Sequence, residues 1–310
     1  LNTNEVTGSL DPRAGIVGGG PGLWNAKCYL HGSGTGGTAP RGLSALLQGC
    51  AMALTTTGSD VDDTAQAGAA STITLHSGAS ASNDAYNGMV IVTNGGTGSG
   101  QTRVITDYVG STKVATVTPA WSTEPDATTD FIIYANNLYV PASDSLKTVT
   151  IYDYLHRSVS GNHRLRKRFG WAGNAAFTVA VRQLPFVQFT GQGSFETPTD
   201  VSDPGAATYE SARPVPFMLA DLVLAGVATP INTLSLDLGN QVQAADDPAA
   251  TYGIDVAGVT RRGITGRVNP PIDLLASRDV PADFLAGTEA SLWARWGSTA
   301  GNRVSLLIPR

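Results

Sequence analysis

The sequence predicts a mainly β protein with one flanking helix, and three observations carry that prediction. Gly (36) and Pro (17) punctuate stretches rich in Thr, Val and Ala, the composition of short strands and tight turns. Apolar residues alternate along short runs, as half-buried strands require. A helical apolar stripe is confined to Leu43, Leu46, Leu47 and Cys50.

The bulk numbers bound the rest. With 310 residues the chain has room for two or three compact units. Its 15% charged content lies below the roughly 25% of ordinary soluble domains, so much of the surface is neutral and suits a subunit with many neighbours. A net charge of -5 lacks the basic footprint that displaces counterions from nucleic acid, which disfavours a dedicated nucleic-acid binder. Cys28 and Cys50 belong to no metal-spaced pair and read as reduced, partly buried thiols of a protein assembled in cytoplasm. No apolar run approaches the roughly 20 residues of a membrane span, and Leu1 to Leu10 lacks a signal peptide's basic start and apolar core. A soluble protein with no membrane partner is expected.

Along the chain, Leu1 to Gly22 reads as an arm and Leu23 to Leu30 as a strand with Trp24, Ala26, Cys28 and Leu30 on one face. A glycine loop leads to the helix, with Thr38 as its expected cap and Pro40 in its first turn. Thr55 to Gly68 has linker composition. Five short runs follow: Ser71 to Leu75, Tyr86 to Val92, Thr102 to Val109, Lys113 to Val117 and Phe131 to Tyr134. Their β-branched and aromatic content predicts a self-contained β unit inserted into the main fold. Strand patterning resumes over Tyr139 to Tyr154 and His163 to Phe195. Glu196 to Pro216 is an extended, proline-rich connection, and a second strand set covers Leu222 to Leu224, Thr233 to Leu238, Ile264 to Val268, Ala290 to Trp296 and Arg303 to Ile308. Asp279 to Ala286 suits a short helix.

Several of these segments resemble a known family. From Gly161 to Phe195, a basic strand (His163, Arg164, Arg166, Lys167, Arg168) runs through Gly170 and Gly173 into AFTVAV and then FVQFTGQGSF. This looks like the paired central strands of tailed-bacteriophage tail tube proteins. NTLSLDLGNQV (Asn232 to Val242), GITGRVNPP (Gly263 to Pro271) and GNRVSLLIP (Gly301 to Pro309) resemble the same family, siphophage-like in type. The insert from Ala70 to Tyr134 is similar to a β module of several phage virion proteins. A minimal tube subunit lacks such an insertion.

The resemblance implies a tail-tube-like antiparallel β-sandwich or barrel with a flanking α-helix, plus an inserted small β domain. The tube core would comprise 1–63 and 138–195 as a first part and 196–310 as a second, which could reflect an internal duplication; 64–137 would be the insert on the tube exterior. It further implies a structural protein of the virion tail, assembled in the host cytoplasm, whose stacked homo-oligomeric rings form the conduit for DNA ejection. Tape measure and tail-end proteins would be its partners, and DNA would pass through the lumen without specific binding. A distal tail or baseplate adaptor is the neighbouring reading.

Other motifs favour plain structural roles. Ile16 to Gly22 (IVGGGPG) lacks the βαβ context of a dinucleotide loop, and His31 to Gly37 (HGSGTGG) has neither a GK[ST] nor a nucleophile elbow, so it reads as a strand-to-helix loop. Four histidines (His31, His76, His156, His163) are scattered in sequence, and Asp60, Asp62 and Asp63 lack EF-hand spacing. No cofactor or metal site is expected. No nucleophile, base and orienting group can be nominated, which argues against an enzyme. Trp24, Trp121, Trp171, Trp293 and Trp296 suit core or interface anchors.

The densest charge lies between His156 and Arg168. On a strand, Arg164, Arg166 and Arg168 share one face and Leu165, Lys167 and Phe169 the other. Contact with DNA phosphates is one reading; inter-subunit contact through Arg164, Arg166, Lys167 and Arg168 is favoured, because a conduit that gripped phosphates would slow passage. A binding module is the hypothesis from another class. For the insert to hold a host glycan or surface protein, its aromatics Tyr86, Tyr108, Trp121 and Phe131 would have to gather on an exposed face.

Overall fold

The computed structural model describes residues 19–156, 162–206, 208–218, 220–224, 227–270, 280–287 and 289–308. The chain is mainly β, and every strand pair is antiparallel. The first body elements are β1 (Gly22–Tyr29), α1 (Leu43–Gly49) and β2 (Met52–Thr57). The insert contributes β3 (Val61–Thr64), β4 (Ala67–Ala69), β5 (Thr72–Thr74), β6 (Val90–Gly95), β7 (Thr102–Val109), β8 (Val114–Thr118) and β9 (Asp130–Ile133). The body resumes with β10 (Asn136–Pro141), β11 (Val149–His156), β12 (Asn162–Ala180), β13 (Phe186–Phe195) and β14 (Thr199–Ser202). After the proline-rich connection come β15 (Asp221–Leu224), β16 (Val227–Ala228), β17 (Thr233–Asp237), β18 (Gln241–Asp246), β19 (Ile254–Arg261), β20 (Thr265–Val268), α2 (Val280–Ala286), β21 (Leu292–Trp296) and β22 (Val304–Ile308).

The body is organised by β12. This 19-residue strand pairs along one edge with β13 and then β14, and along the other with β11 and then β17. The resulting sheet runs β1-β13-β12-β17-β20, with β11 and β14 also held on β12. Its inward residues include Trp24, Phe189, Val187, Phe177, Val179, Leu234 and Leu236, which share one core with Leu43, Leu46 and Leu47 of α1 and Leu292, Ala294 and Trp296 of the four-stranded sheet β16-β15-β21-β22. Strands from both sides of the proline-rich connection therefore enter the same sheet and the same core.

At the centre of this core Trp171 is wholly buried, edge-on to Trp24 with ring centroids 5.7 Å apart, and its indole N–H donates to the Trp24 carbonyl at 3.3 Å. Room for it comes from missing side chains: a Cβ on Gly173 or Gly191 would fall 2.2 and 2.6 Å from the indole. The ladder to β13 slips between Phe169 and Ala172, and Gly170 takes φ 58 against Val256 of β19. A left-handed bulge thus rotates Trp171 inward and lets the β18–β19 hairpin press on the strand. Gln192 Nε2 donates to Val242 O (3.0 Å) and Ser194 Oγ to Ile254 O (2.9 Å), fastening that hairpin across the sheet.

The helix departs from its expected start. Gly42 occupies the N-cap position with no side-chain cap, and Thr38 instead sits in a turn on Thr35. Its C-terminal end is capped from afar: Asn240 Nδ2 donates to Cys50 O (2.8 Å) and to Gly173 O (3.0 Å), and Arg262 Nη2 donates to Ala51 O (2.7 Å). A cation at a helix C-terminus is electrostatically favourable.

Thr55 to Gly68, expected as a linker, is mostly strand. β2 pairs with β10 in register from Met52↔Pro141 to Thr57↔Asn136, so the insert leaves and re-enters through one two-stranded stalk. Beyond it, β3-β9-β6-β7-β8-β5-β4 form a second seven-stranded sheet around Ile73, Leu75, Ile91, Ile105, Tyr108, Phe131 and Ile133. Its two terminal strands, β3 and β4, are separated only by Ala65 and Gln66, whose amides bond Thr129 O (2.8 Å) on one side and Thr74 O (2.9 Å) on the other. One bent segment thereby bridges the ends of the sheet, which must curl to allow it.

Elsewhere the strand readings hold to within a few residues. Corrections are β14, inside the segment read as an extended connection, and the β18–β19 hairpin, which no expectation covered. Leu23, the first apolar residue of the strand expected over Leu23 to Leu30, is 67% exposed. Of the arm, Leu1 to Gly18 lies outside the described residues, and with it Ile16, Val17 and Gly18 of IVGGGPG; Asp279 does too, while α2 occupies the rest of its expected span.

Candidate assembly surface

Below the bulge, β11, the first half of β12 and β14 form a three-stranded ribbon. Its strands alternate as the sequence requires. One face carries Tyr152, Tyr154 and His156, opposite Lys167, Leu165 and His163; the other carries Asp153 and Leu155, opposite Arg166 and Arg164. Tyr152 (53%), Tyr154 (40%), Leu155 (38%) and Phe169 (42%) are exposed, so both faces present apolar bulk to solvent.

The four basic residues singled out by sequence divide between these faces. Arg166 Nη2 meets Asp153 Oδ2 at 2.6 Å, and Arg168 Nη1 approaches the same oxygen at 3.7 Å while its Nε donates to Leu23 O. Lys167 Nζ pairs with Glu196 at 2.8 Å on the opposite face; that hydrogen bond raises its pKa first of all. The partly exposed Arg166–Asp153 pair contributes about 0–1 kcal/mol. Arg164, exposed and cross-strand from Leu155 and Asp200, makes no ion pair among the described residues.

Sequence reading missed one association here. His156 and His163 are direct cross-strand partners with ring centroids 4.9 Å apart, and His163 Nε2 lies 3.5 Å from Asp203. Strand patterning that ends near Tyr154 and resumes at His163 was the signal that could have placed them together. Asp203 has a lowered pKa, chiefly because the Gly205 amide donates to its carboxylate and then through His163. Among the described residues no group of three or more His, Cys, Asp or Glu is arranged to hold a metal ion.

Above the bulge, the sheet's edges are open. β1 pairs only with β13, and β20 only with β17, among the described residues. The outer face between them is poor in charge. Its cross-strand rows are Asn25–Thr190–Asn174, Lys27–Gln188–Ala176–Asp237–Thr265 and Tyr29–Phe186–Thr178–Ser235–Arg267. Lys27 lies 3.6 Å over the Phe186 ring and Asp237 accepts from Asn174 Nδ2 at 2.7 Å, so those two charges are engaged locally, while Arg267 is exposed.

The insert offers nothing comparable. Tyr86, Tyr108, Trp121 and Phe131 are all buried in its core, which removes the exposed aromatic platform a glycan site would have needed. Asp60 accepts from the Ala135 amide (2.7 Å), Asp63 pairs with His76 (3.3 Å), and Asp62 stands on β3. The His31 to Gly37 loop joins β1 to α1 and is tied to the turn near Gly301, with Gly34 N donating to Gly301 O at 3.0 Å. Cys28 and Cys50 are unpaired; burial raises both thiol pKa values, that of Cys50 to about 12. No helix among the described residues is long and apolar enough to cross a membrane.

Comparison with models of known protein families and with curated proteins returned no match for the chain.

Proposed function

We propose that this chain is a structural subunit of a tailed-bacteriophage tail tube, polymerising as stacked rings into the conduit for DNA ejection. The observation that carries this reading is the β1 edge, which has no second strand partner among the described residues, together with a ribbon of exposed aromatics. A long open edge offers a row of free N–H and C=O groups to the next chain, which a lone subunit would have to hide and an assembling one uses. The outer face carries few charges, and Asp237 offsets one of its two basic residues, Lys27 and Arg267, which suits passage of a polyanion with little capture. In this reading Arg164 is the basic residue best placed for a neighbouring subunit, since Arg166, Lys167 and Arg168 have partners within the chain. Tape measure and tail-end proteins would meet the finished tube, and the virion tail would be its location.

Negative-stain imaging of the purified chain at high concentration tests the proposal. Tubes of stacked rings support it. Rings that never stack would point to a neighbouring tail adaptor, and monomers under all conditions would overturn it.

A further inference from the structure

Where the insert meets the body, a cleft of about 440 Å³ opens between Val92 and Tyr134 on one side and the β15–β21 edge on the other. We propose that this cleft binds a carboxylate carried on an apolar stem. The inference is independent of tube assembly.

Two guanidinium groups and an indole N–H outnumber its single carboxylate, Asp221. Arg303 lays its guanidinium 3.9 Å over the Tyr134 ring and spends Nε and Nη2 on the Ser298 carbonyl at 3.1 and 3.0 Å. Its Nη1 is buried and has no acceptor among the described residues. Trp296, 1% exposed, also lines the cleft, and its Nε1–H is likewise buried without an acceptor. An unmet buried donor costs about 1–3 kcal/mol, so one acceptor group that reached both would relieve two such costs together. The carboxylate in the cleft, Asp221, is already taken by Arg295. Two guanidinium groups against one carboxylate leave a surplus of one positive charge, which matches a monoanion better than a phosphate dianion.

The remaining wall is apolar, with Val92, Val215 and Met218, and Met218 is 49% exposed. A stem of aliphatic carbon would cover it. The volume falls within the roughly 300–1,000 Å³ of small-ligand sites. Two sources share this chemistry: a free small acid, and the C-terminal residue of a protein segment.

Equilibrium dialysis of the full chain against labelled N-acetyl-leucine, with N-acetyl-leucinamide as the uncharged control, tests the site in rings and free subunits alike. Saturable binding of one acid per chain is expected at roughly millimolar Kd, with the amide at least about tenfold weaker. Arg303→Met, which keeps a stem on Tyr134, should weaken the acid by about tenfold or more, and Trp296→Phe by several-fold. Should Arg303→Met unfold, Arg303→Lys keeps the charge, loses the planar fork and should still weaken binding. Equal binding of acid and amide, or variants that bind the acid as the parent does, would overturn the proposal. A Gly-Gly-Leu peptide that binds more tightly than N-acetyl-leucine assigns the source to a protein end; one that binds no more tightly assigns it to a free acid.

Discussion

The chain builds two seven-stranded antiparallel sheets and treats their edges in opposite ways. In the insert, the ends of the sheet are two halves of one bent segment, β3 and β4, each short and exposed, with Asp62 and Asp63 on the first and Gly68 in the second. Curling, brevity and charge are all devices that discourage pairing with another chain. In the body, β1 runs for eight residues with one partner and carries Leu23 and Tyr29 into solvent. The same backbone geometry is closed in the insert and, among the described residues, left open at β1.

Removing what fills the body's centre should separate the two sheets most sharply. Trp171→Ala empties the glycine-lined slot and is expected to cost about 3–5 kcal/mol. In a calorimetric scan the body's transition should fall while the insert's stays in place; a common shift of both would mean that they unfold as one unit.

Next in size, residues 60–135 expressed alone should fold with a cooperative thermal transition, because their core is their own. A non-cooperative circular dichroism melt would show that the insert depends on the body.

A smaller effect is expected at the open edge. Leu23→Lys with Tyr29→Lys adds charge to exposed positions, changing stability by about 0.5 kcal/mol or less each. The concentration needed for assembly, read by sedimentation, should rise by about tenfold. Unaltered assembly would remove β1 from the contact.

The smallest effect concerns acid. Because the Gly205 amide and His163 hold the Asp203 carboxyl below its ordinary range, its contribution is complete above that range and is lost as pH falls through the depressed value. Protection of the Gly205 amide, measured against its intrinsic exchange rate, should therefore fall on acidification, and in Asp203→Asn it should lose that dependence.

Much of this was legible in sequence, and the gaps have physical causes. Alternation put Phe177 and Val179 on one face with Val181, of which the first two are buried and Val181 is 41% exposed, and it set Arg166 and Arg168 on one face opposite Lys167. What the pattern could not supply was Asp153, which reaches both arginines only because a hairpin folds β11 back on β12. Thr55 to Thr57 and Val61 to Thr64 read as linker because Gly, Ser and Asp interrupt them and no apolar alternation marks a face; pairing with β10 and β9 decides their state. The β18–β19 hairpin escaped notice for a similar reason, its Gln, Ala and Asp residues being held by contacts at Gly170, Gln192 and Ser194. Thr38 looked like a cap because its chemistry fits, but the loop bonds to Gly301 and Asn302 and starts the helix later.

Thr57 and Asn136 stand opposite each other at the tip of the β2–β10 stalk. To the rest of the body, everything between them is topologically a hairpin turn, however large it grows. Any module whose own ends lie side by side could be exchanged at that point, at the loss of the few contacts the insert makes outside the stalk, such as the Tyr134 ring beneath Arg303. The position is therefore a natural port for acquiring, losing or replacing a domain, and for displaying a chosen one at a fixed address on the chain.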